Sequence, residues 1–120
     1  MATRVDDKLY WYGVEELVNA YDGDTIRFVL DVGFGMSATV QLRLEGIDTP
    51  ELGQDGALEA RDYLRGRVEA ALKDGRSVYV KTFKTDKYGR WLGRILIGTE
   101  NLNETMLERG LGRPYSGGER

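Results

Sequence analysis

The chain has 120 residues, 41% of them hydrophobic, a net charge of -3, and neither cysteine nor histidine, which leaves room for one domain with a single modest core. Disulfides, thiolate chemistry, Ser-His and Cys-His nucleophile pairs and the usual zinc sites are excluded, so any chemistry runs on carboxylates, arginine, lysine, tyrosine and hydroxyls, and any bound metal is a hard, oxygen-seeking cation. No apolar run reaches the ~18 residues of a membrane span, and residues 1–10 carry Arg4, Asp6, Asp7 and Lys8 where a signal peptide has its apolar stretch; the default expectation is a cytoplasmic protein with no membrane association, with secretion after removal of a leader left open.

Residues 1–16, including Leu9-Tyr10-Trp11-Tyr12, are set apart as an N-terminal extension that adds a strand or an apolar surface. Residues 18–21 form a short apolar approach to Asp22-Gly23, after which 24–31 alternates with Ile26, Phe28 and Leu30 on one side. Gly33 and Gly35 suit a loop. Residues 39–45 alternate again, Val40, Leu42 and Leu44 pointing one way and Gln41, Arg43 and Glu45 the other, so Arg43 leaves the core face.

After Pro50 the period lengthens: Ala57, Ala60, Leu64, Val68, Ala71 and Leu72 predict an amphipathic helix over roughly 54–73, ended by Gly75. Residues 77–83 and 91–97 read as strands joined by a turn at Lys87-Tyr88-Gly89. Asn103 as N-cap opens a short helix that stops at Gly110. Three strands, a helix, two strands and a short C-terminal helix make an α+β, mainly β chain. Its strands close most economically into a small five-stranded Greek-key OB-fold barrel over residues 17–115, leaving 116–120 as a tail.

Charge is lopsided. Residues 1–60 hold 12 acids and 4 bases, a net -8, and residues 61–120 hold 8 acids and 13 bases, a net +5. Arg76, Lys81, Lys84, Lys87, Arg90 and Arg94 share their stretch with a single acid, Asp86; this is a basic patch beside an acidic pocket, or equally a solvated charged hairpin.

Three motifs carry candidate chemistry. Asp22-Gly23-Asp24-Thr25 sits where a loop enters a strand and, read alone, is as readily an Asx-type turn. Arg43-x-x-x-x-Asp48-Thr49-Pro50-Glu51 runs off a strand end; Pro50 keeps Thr49 extended, so the loop can present two acids to a common space, or can serve only as the acidic approach to a helix. Asp86-Lys87-Tyr88-Gly89-Arg90 is a turn whose basic and aromatic side chains can hold a phosphate and a base, or simply face solvent. Together they supply what phosphodiester hydrolysis requires: hard-metal ligands, a water activator and cationic clamps on phosphoryl oxygens.

The order of these motifs, with the Gly56-x-x-Glu59-Ala60 helix segment and the Asn-led helix ending in Gly110-Leu111, closely resembles the staphylococcal-nuclease-like (thermonuclease) family over roughly residues 17–115. The resemblance implies a Ca²⁺-dependent nuclease acting on DNA, RNA or both and leaving 3′-phosphate ends. It implies Asp24 and Asp48 as calcium carboxylates, with the Thr49 backbone carbonyl as a further ligand, and Glu51 as the group that orients or deprotonates the attacking water. It also implies Arg43 and Arg90 as grips on the reacting phosphate, Lys87 and Tyr88 as contacts to a terminal phosphate, and Tyr115, in a looser match, as a nucleotide-stacking ring. The family's longer members continue into a terminal helix, whereas this chain stops after Ser116-Gly117-Gly118. Two rival readings are an OB-fold module that binds nucleic acid or a protein without cutting, and an acidic calcium-binding domain; the second leaves Arg43 and Arg90 unexplained.

Overall fold

The computed structural model describes residues 10–85 and 90–115; the predicted turn at Lys87-Tyr88-Gly89 lies outside them. Among the described residues the chain runs β1 (Trp11–Asp22), β2 (Thr25–Gly33), β3 (Met36–Leu44), β4 (Ile47–Asp48), α1 (Ala57–Lys73), β5 (Val78–Thr85), β6 (Trp91–Ile97), β7 (Glu100–Asn101), α2 (Leu102–Glu108) and β8 (Arg113–Pro114). Strands β3, β2, β1, β5 and β6 lie side by side in that order, and a parallel pairing of β3 with β6 closes them into a five-stranded barrel, the predicted OB-fold architecture.

Period-2 alternation does what it requires in β2 and β3. Ile26, Phe28, Leu30, Leu42 and Leu44 point inward and are at most 2% exposed, meeting Val78, Val80, Ile95 and Ile97 from the other strands. Helix α1 covers one end with Ala57, Ala60, Leu64, Val68 and Ala71, and α2 adds Leu102 and Met106. Truncating a fully buried side chain such as Phe28 or Leu64 to alanine costs about 2–5 kcal/mol.

Two local expectations change, and the strand expected of the N-terminal extension runs on past residue 16. Strand β1 begins at Trp11, inside the segment set apart as an extension, and pairs with both β2 and β5. Its register shifts between Val14 and Glu16, Leu17 and Asn19, and Ala20 and Asp22, so successive irregularities scramble the alternation that would have announced it. Helix α1 starts at Ala57, three residues later than expected at 54, because Gly56 at φ 87° interrupts the helical run. Asn103 does not cap α2. Asn101 does, its side chain accepting from the Glu104 N–H at 3.3 Å, while Asn103 is buried in a bridging role: its Oδ1 accepts from the Ile95 N–H (3.1 Å), and its Nδ2 donates to the carbonyls of Glu45 (2.8 Å) and Gly93 (3.1 Å).

A two-stranded ladder of β4 with β8 sits outside the barrel, pairing Ile47 with Pro114 and Asp48 with Arg113. It folds the C-terminal segment back over the end of β3. No helix among the described residues is long and apolar enough to cross a membrane.

Candidate active site

The site is assembled at one end of the barrel, beginning with the tight connection between β1 and β2. Asp22 closes it as an Asx turn, its Oδ1 accepting from the Asp24 N–H at 3.0 Å. Gly23 lets that turn lie flat on its neighbours, since a Cβ there would stand 2.6 Å from Ala60 Cβ and 2.8 Å from Thr49 Cγ2. The turn is therefore clamped between α1 and the loop after β4, and Asp24 is delivered to that loop: its Oδ2 accepts from the Thr49 N–H at 2.9 Å, and its Oδ1 from the Thr25 hydroxyl at 3.2 Å.

Arg43 leaves the barrel interior as its alternation predicts, yet it is only 5% exposed, because the β4 and β8 segments fold over it. One guanidinium nitrogen, Nη1, donates to the backbone carbonyls of Leu44 (2.8 Å) and Ile47 (2.7 Å). The other, Nη2, lies 3.6 Å from Asp24 Oδ2 and 3.4 Å from Asp48 Oδ1. The Tyr115 ring lies over the same guanidinium, 5.1 Å from its centroid, and the Tyr115 N–H donates to the Gly46 carbonyl at 3.0 Å. Two aspartates from distant segments thus converge on one nitrogen whose orientation is held by main-chain acceptors.

Asp48 is 7% exposed, and its second oxygen lies 3.5 Å from Nη2 of Arg113, a mostly exposed side chain. Sequence reasoning passed over Arg113; its only signal is a place two residues before Tyr115 in the loosely matched end of the family pattern. Glu51 is exposed on the loop after Pro50. Its N–H donates to Gln54 Oε1 at 2.9 Å, and its carbonyl accepts the Gln54 N–H at the same distance. It lines an open cleft of about 760 Å³, together with Asp48, Thr49 and Pro50 on one side and Gly112 and Arg113 on the other.

Arg90 precedes β6. With Trp91 opposite Leu42 and Leu92 opposite Arg43, its backbone enters the barrel beside β3, on the strand pair that carries Arg43. Lys87 and Tyr88 lie outside the described residues.

The electrostatics follow from crowding. Asp22 is pushed up to about 6, first by burial and then by its hydrogen bond to Asp24 and the negative charge there. Among the described residues no three carboxylates gather at ligating distance. The donors at hand are the Asp24 and Asp48 carboxylates and the Thr49 backbone carbonyl, and the buried Thr49 hydroxyl has no hydrogen-bond partner among the described residues. An all-oxygen set with two carboxylates and an unpartnered hydroxyl fits a hard divalent cation whose remaining positions go to water and substrate oxygens.

The chain is similar in sequence to known proteins. The family described as staphylococcal nuclease homologue matches residues 41–119. Protein ParB of Escherichia coli is 34% identical over 109 residues, covering 83% of this chain and 56% of that protein. An uncharacterized endonuclease of Escherichia coli O157:H7 is 34% identical over 100 residues, covering 82% and 59%. The micrococcal nuclease of Shigella flexneri is 31% identical over 109 residues, covering 83% and 57%. The chain spans somewhat more than half the length of these curated relatives.

Proposed function

The chain belongs to the staphylococcal nuclease homologue family, and from that premise we propose that it is a nuclease, hydrolysing phosphodiester bonds of DNA, RNA or both in a calcium-dependent reaction that leaves 3′-phosphate ends. The observation that carries the reading is the meeting of Asp24, Arg43 and Asp48 on a single guanidinium nitrogen, at the rim of a cleft that also holds Glu51 and Arg113. Relatives named as nucleases and endonucleases support it.

In this reading Asp24, Asp48 and the Thr49 carbonyl hold Ca²⁺, which supplies charge stabilisation for a phosphoryl oxygen. Arg43 presents a fixed guanidinium whose Nη2, shared between two carboxylates, is the nitrogen able to turn to a phosphate oxygen; its fork matches phosphate geometry as a lysine cannot. Arg90 serves as the second cationic clamp, with Lys87 and Tyr88 on a terminal phosphate and Tyr115 against a base. Glu51, exposed to water at the cleft, accepts a proton from the water that attacks phosphorus in line, and the bond from phosphorus to the 5′-oxygen breaks, that oxygen taking a proton from solvent to leave as a 5′-hydroxyl. Arg113, at the exposed end of its pairing with Asp48, adds positive charge where an incoming strand arrives.

The test is direct. Single- and double-stranded DNA and RNA are incubated with the purified chain, with calcium and with a chelator, and the products are resolved on gels and treated with a 3′-phosphatase. Cleavage that stops in chelator and yields phosphatase-sensitive 3′ ends is the expected result; strands that are bound but stay intact with calcium present overturn it in favour of a binding module. Glu51→Gln is expected to lower turnover about 10²- to 10⁴-fold with unfolding unchanged. A variant as active as wild type removes Glu51 from the mechanism.

A further inference from the structure

From Val78 to Phe83 of β5 the side chains alternate: Val78, Val80 and Thr82 are buried, while Tyr79, Lys81 and Phe83 point away from the barrel. Register sets Trp11 of β1 opposite Lys81, and Lys81 opposite Arg94 of β6, so a tryptophan and two cations form one row across three strands. The cations are interleaved with rings. Lys81 Nζ lies 5.4 Å from the Trp11 ring centroid and 5.9 Å from that of Phe83, and the Arg94 guanidinium lies 4.8 Å over Phe83. Trp11 is 39% exposed and Tyr79 41%, large aromatic areas to leave in water on the outside of a sheet. Among the described residues, Glu45 accepts from Arg94 Nε at 3.0 Å.

The face is continuous with the candidate active site. Leu92, two residues before Arg94 and on the same side of β6, is the register partner of Arg43. A strand whose phosphate sits at Arg43 therefore meets Phe83, Arg94, Lys81 and Trp11 next as it runs along the barrel wall.

We propose that the outer face of β1, β5 and β6 is a binding track for single-stranded nucleic acid, taking bases on Trp11, Phe83 and Tyr79 and phosphates on Lys81 and Arg94. Rings alternating with cations are the requirement for holding a strand without reading its sequence, since every base has a stacking face and every nucleotide a charge. Exposed cation–ring contacts are weaker than base stacking, so an arriving base displaces the ammonium from the ring and releases it to the adjacent phosphate. A duplex keeps its bases in its own stack and gains only the charge. The track rests on the nuclease reading for its role, as the extended grip on the substrate, but not for its binding.

Binding is measured by fluorescence anisotropy in chelator, where cutting is off, using labelled oligothymidylates of about 12 and about 3 nucleotides, the RNA equivalents and a duplex of the longer length. Trp11→Ala and Lys81→Glu are each expected to weaken the long single strand about 5- to 100-fold, to leave the short one unchanged, and to change duplex binding less. The long strand is also expected to quench tryptophan emission in wild type but not in Trp11→Ala. Thermal unfolding confirms the variants are folded, and Lys81→Glu, on the solvent side of β5, keeps the test alive if Trp11→Ala is not. With calcium, both variants raise KM for long substrates and leave kcat alone. Long-strand binding unchanged in folded variants overturns the proposal, as does equal loss on the duplex or a wild-type protein that uses this face to dimerise in sedimentation. A chain that binds long strands in this manner and never cuts them sinks the nuclease reading while the track stands.

Discussion

Removing the Asn103 side chain separates a surface cap from a buried brace. The residue is 3% exposed and serves three main-chain groups: the Ile95 N–H, the Glu45 carbonyl and the Gly93 carbonyl. In Asn103→Ala the Gly93 carbonyl keeps a partner, because it also accepts the Glu45 N–H at 2.9 Å. The buried Ile95 N–H and the partly buried Glu45 carbonyl lose theirs; a fully buried orphan costs about 1–3 kcal/mol and a group that water can reach costs less. With a small void added, the loss comes to about 2–4 kcal/mol, a large share of the ~5–15 kcal/mol that holds such a domain together. Asn101→Ala, which removes one cap bond at 3.3 Å, costs about 1 kcal/mol or less. Asn103→Asp is a sharper probe, since it keeps the acceptor for Ile95 but turns an oxygen toward the two carbonyls, and it is expected to be no better than alanine. Urea titration followed by tryptophan emission gives the free energies, and an unchanged denaturant slope shows that the comparison is between like states. An Asn103→Ala variant within about 1 kcal/mol of wild type, or an Asn101 variant that costs more, would refute the bracing role.

Gly23→Ala is expected to destabilise the chain by about 1–3 kcal/mol and to weaken calcium binding measured by calorimetry, because its methyl collides with Ala60 and Thr49 and lifts Asp24 off the loop. Arg43→Lys keeps the charge but loses the fork that lets one nitrogen hold the Leu44 and Ile47 carbonyls while the other faces Asp24 and Asp48; its turnover is expected to fall about 10²- to 10³-fold in the same gel assay. For Asp22 the folded pKa of about 6 lies above the ordinary aspartate value of 3.8. The folded chain therefore holds that proton more tightly, and stability falls as pH rises from below 3.8 through 6. Asp22→Asn in chelator is expected to lose that downward slope and to melt higher than wild type at neutral pH, and a parallel pH profile of melting temperatures would contradict it.

The strands that stack regularly and the long helix were readable because their periods are local: Ile26, Phe28 and Leu30 declare β2, and Ala60, Leu64 and Val68 declare α1. Strand β1 was not, because its repeated register shifts between Val14 and Asp22 break up the alternation by which a strand shows in sequence. The two-residue strands β4 and β8 are too short for any period, and their pairing exists only once the barrel end presents Gly46 and Ile47 to the returning chain. That is why Arg113 escaped notice beside Asp48. Asn101 and Asn103 are indistinguishable as caps in sequence; which one turns inward is decided by main-chain groups elsewhere in the fold, the Ile95 N–H on β6 and the Glu45 carbonyl 58 residues away. Alternation correctly turned Arg43 away from the interior, but the period of a strand reports a face and not what later segments lay over it.

The register of β2 against β3 ties the core to the candidate site. Thr25 pairs with Arg43 and Ile26 with Leu42, and the Leu44 N–H donates to the Asp24 carbonyl at 2.8 Å. A slip of one residue would turn Leu42 and Leu44 out to solvent and drive Arg43 into the barrel, at a cost of several kcal/mol for the buried charge alone. The pairing that buries the leucines is thus the pairing that holds Arg43 beside Asp24. Holding two carboxylates with one buried guanidinium is itself costly; the hydrogen bonds from Thr25 and Thr49 to Asp24 and from Arg43 to the Leu44 and Ile47 carbonyls offset part of that cost, and the balance must be offset elsewhere. The offset comes from apolar burial along the same two strands, so a change that loosens Phe28 reaches Asp24 and Arg43 through the β2–β3 ladder without touching either, and one that loosens Leu44 reaches them directly through its main-chain hydrogen bonds.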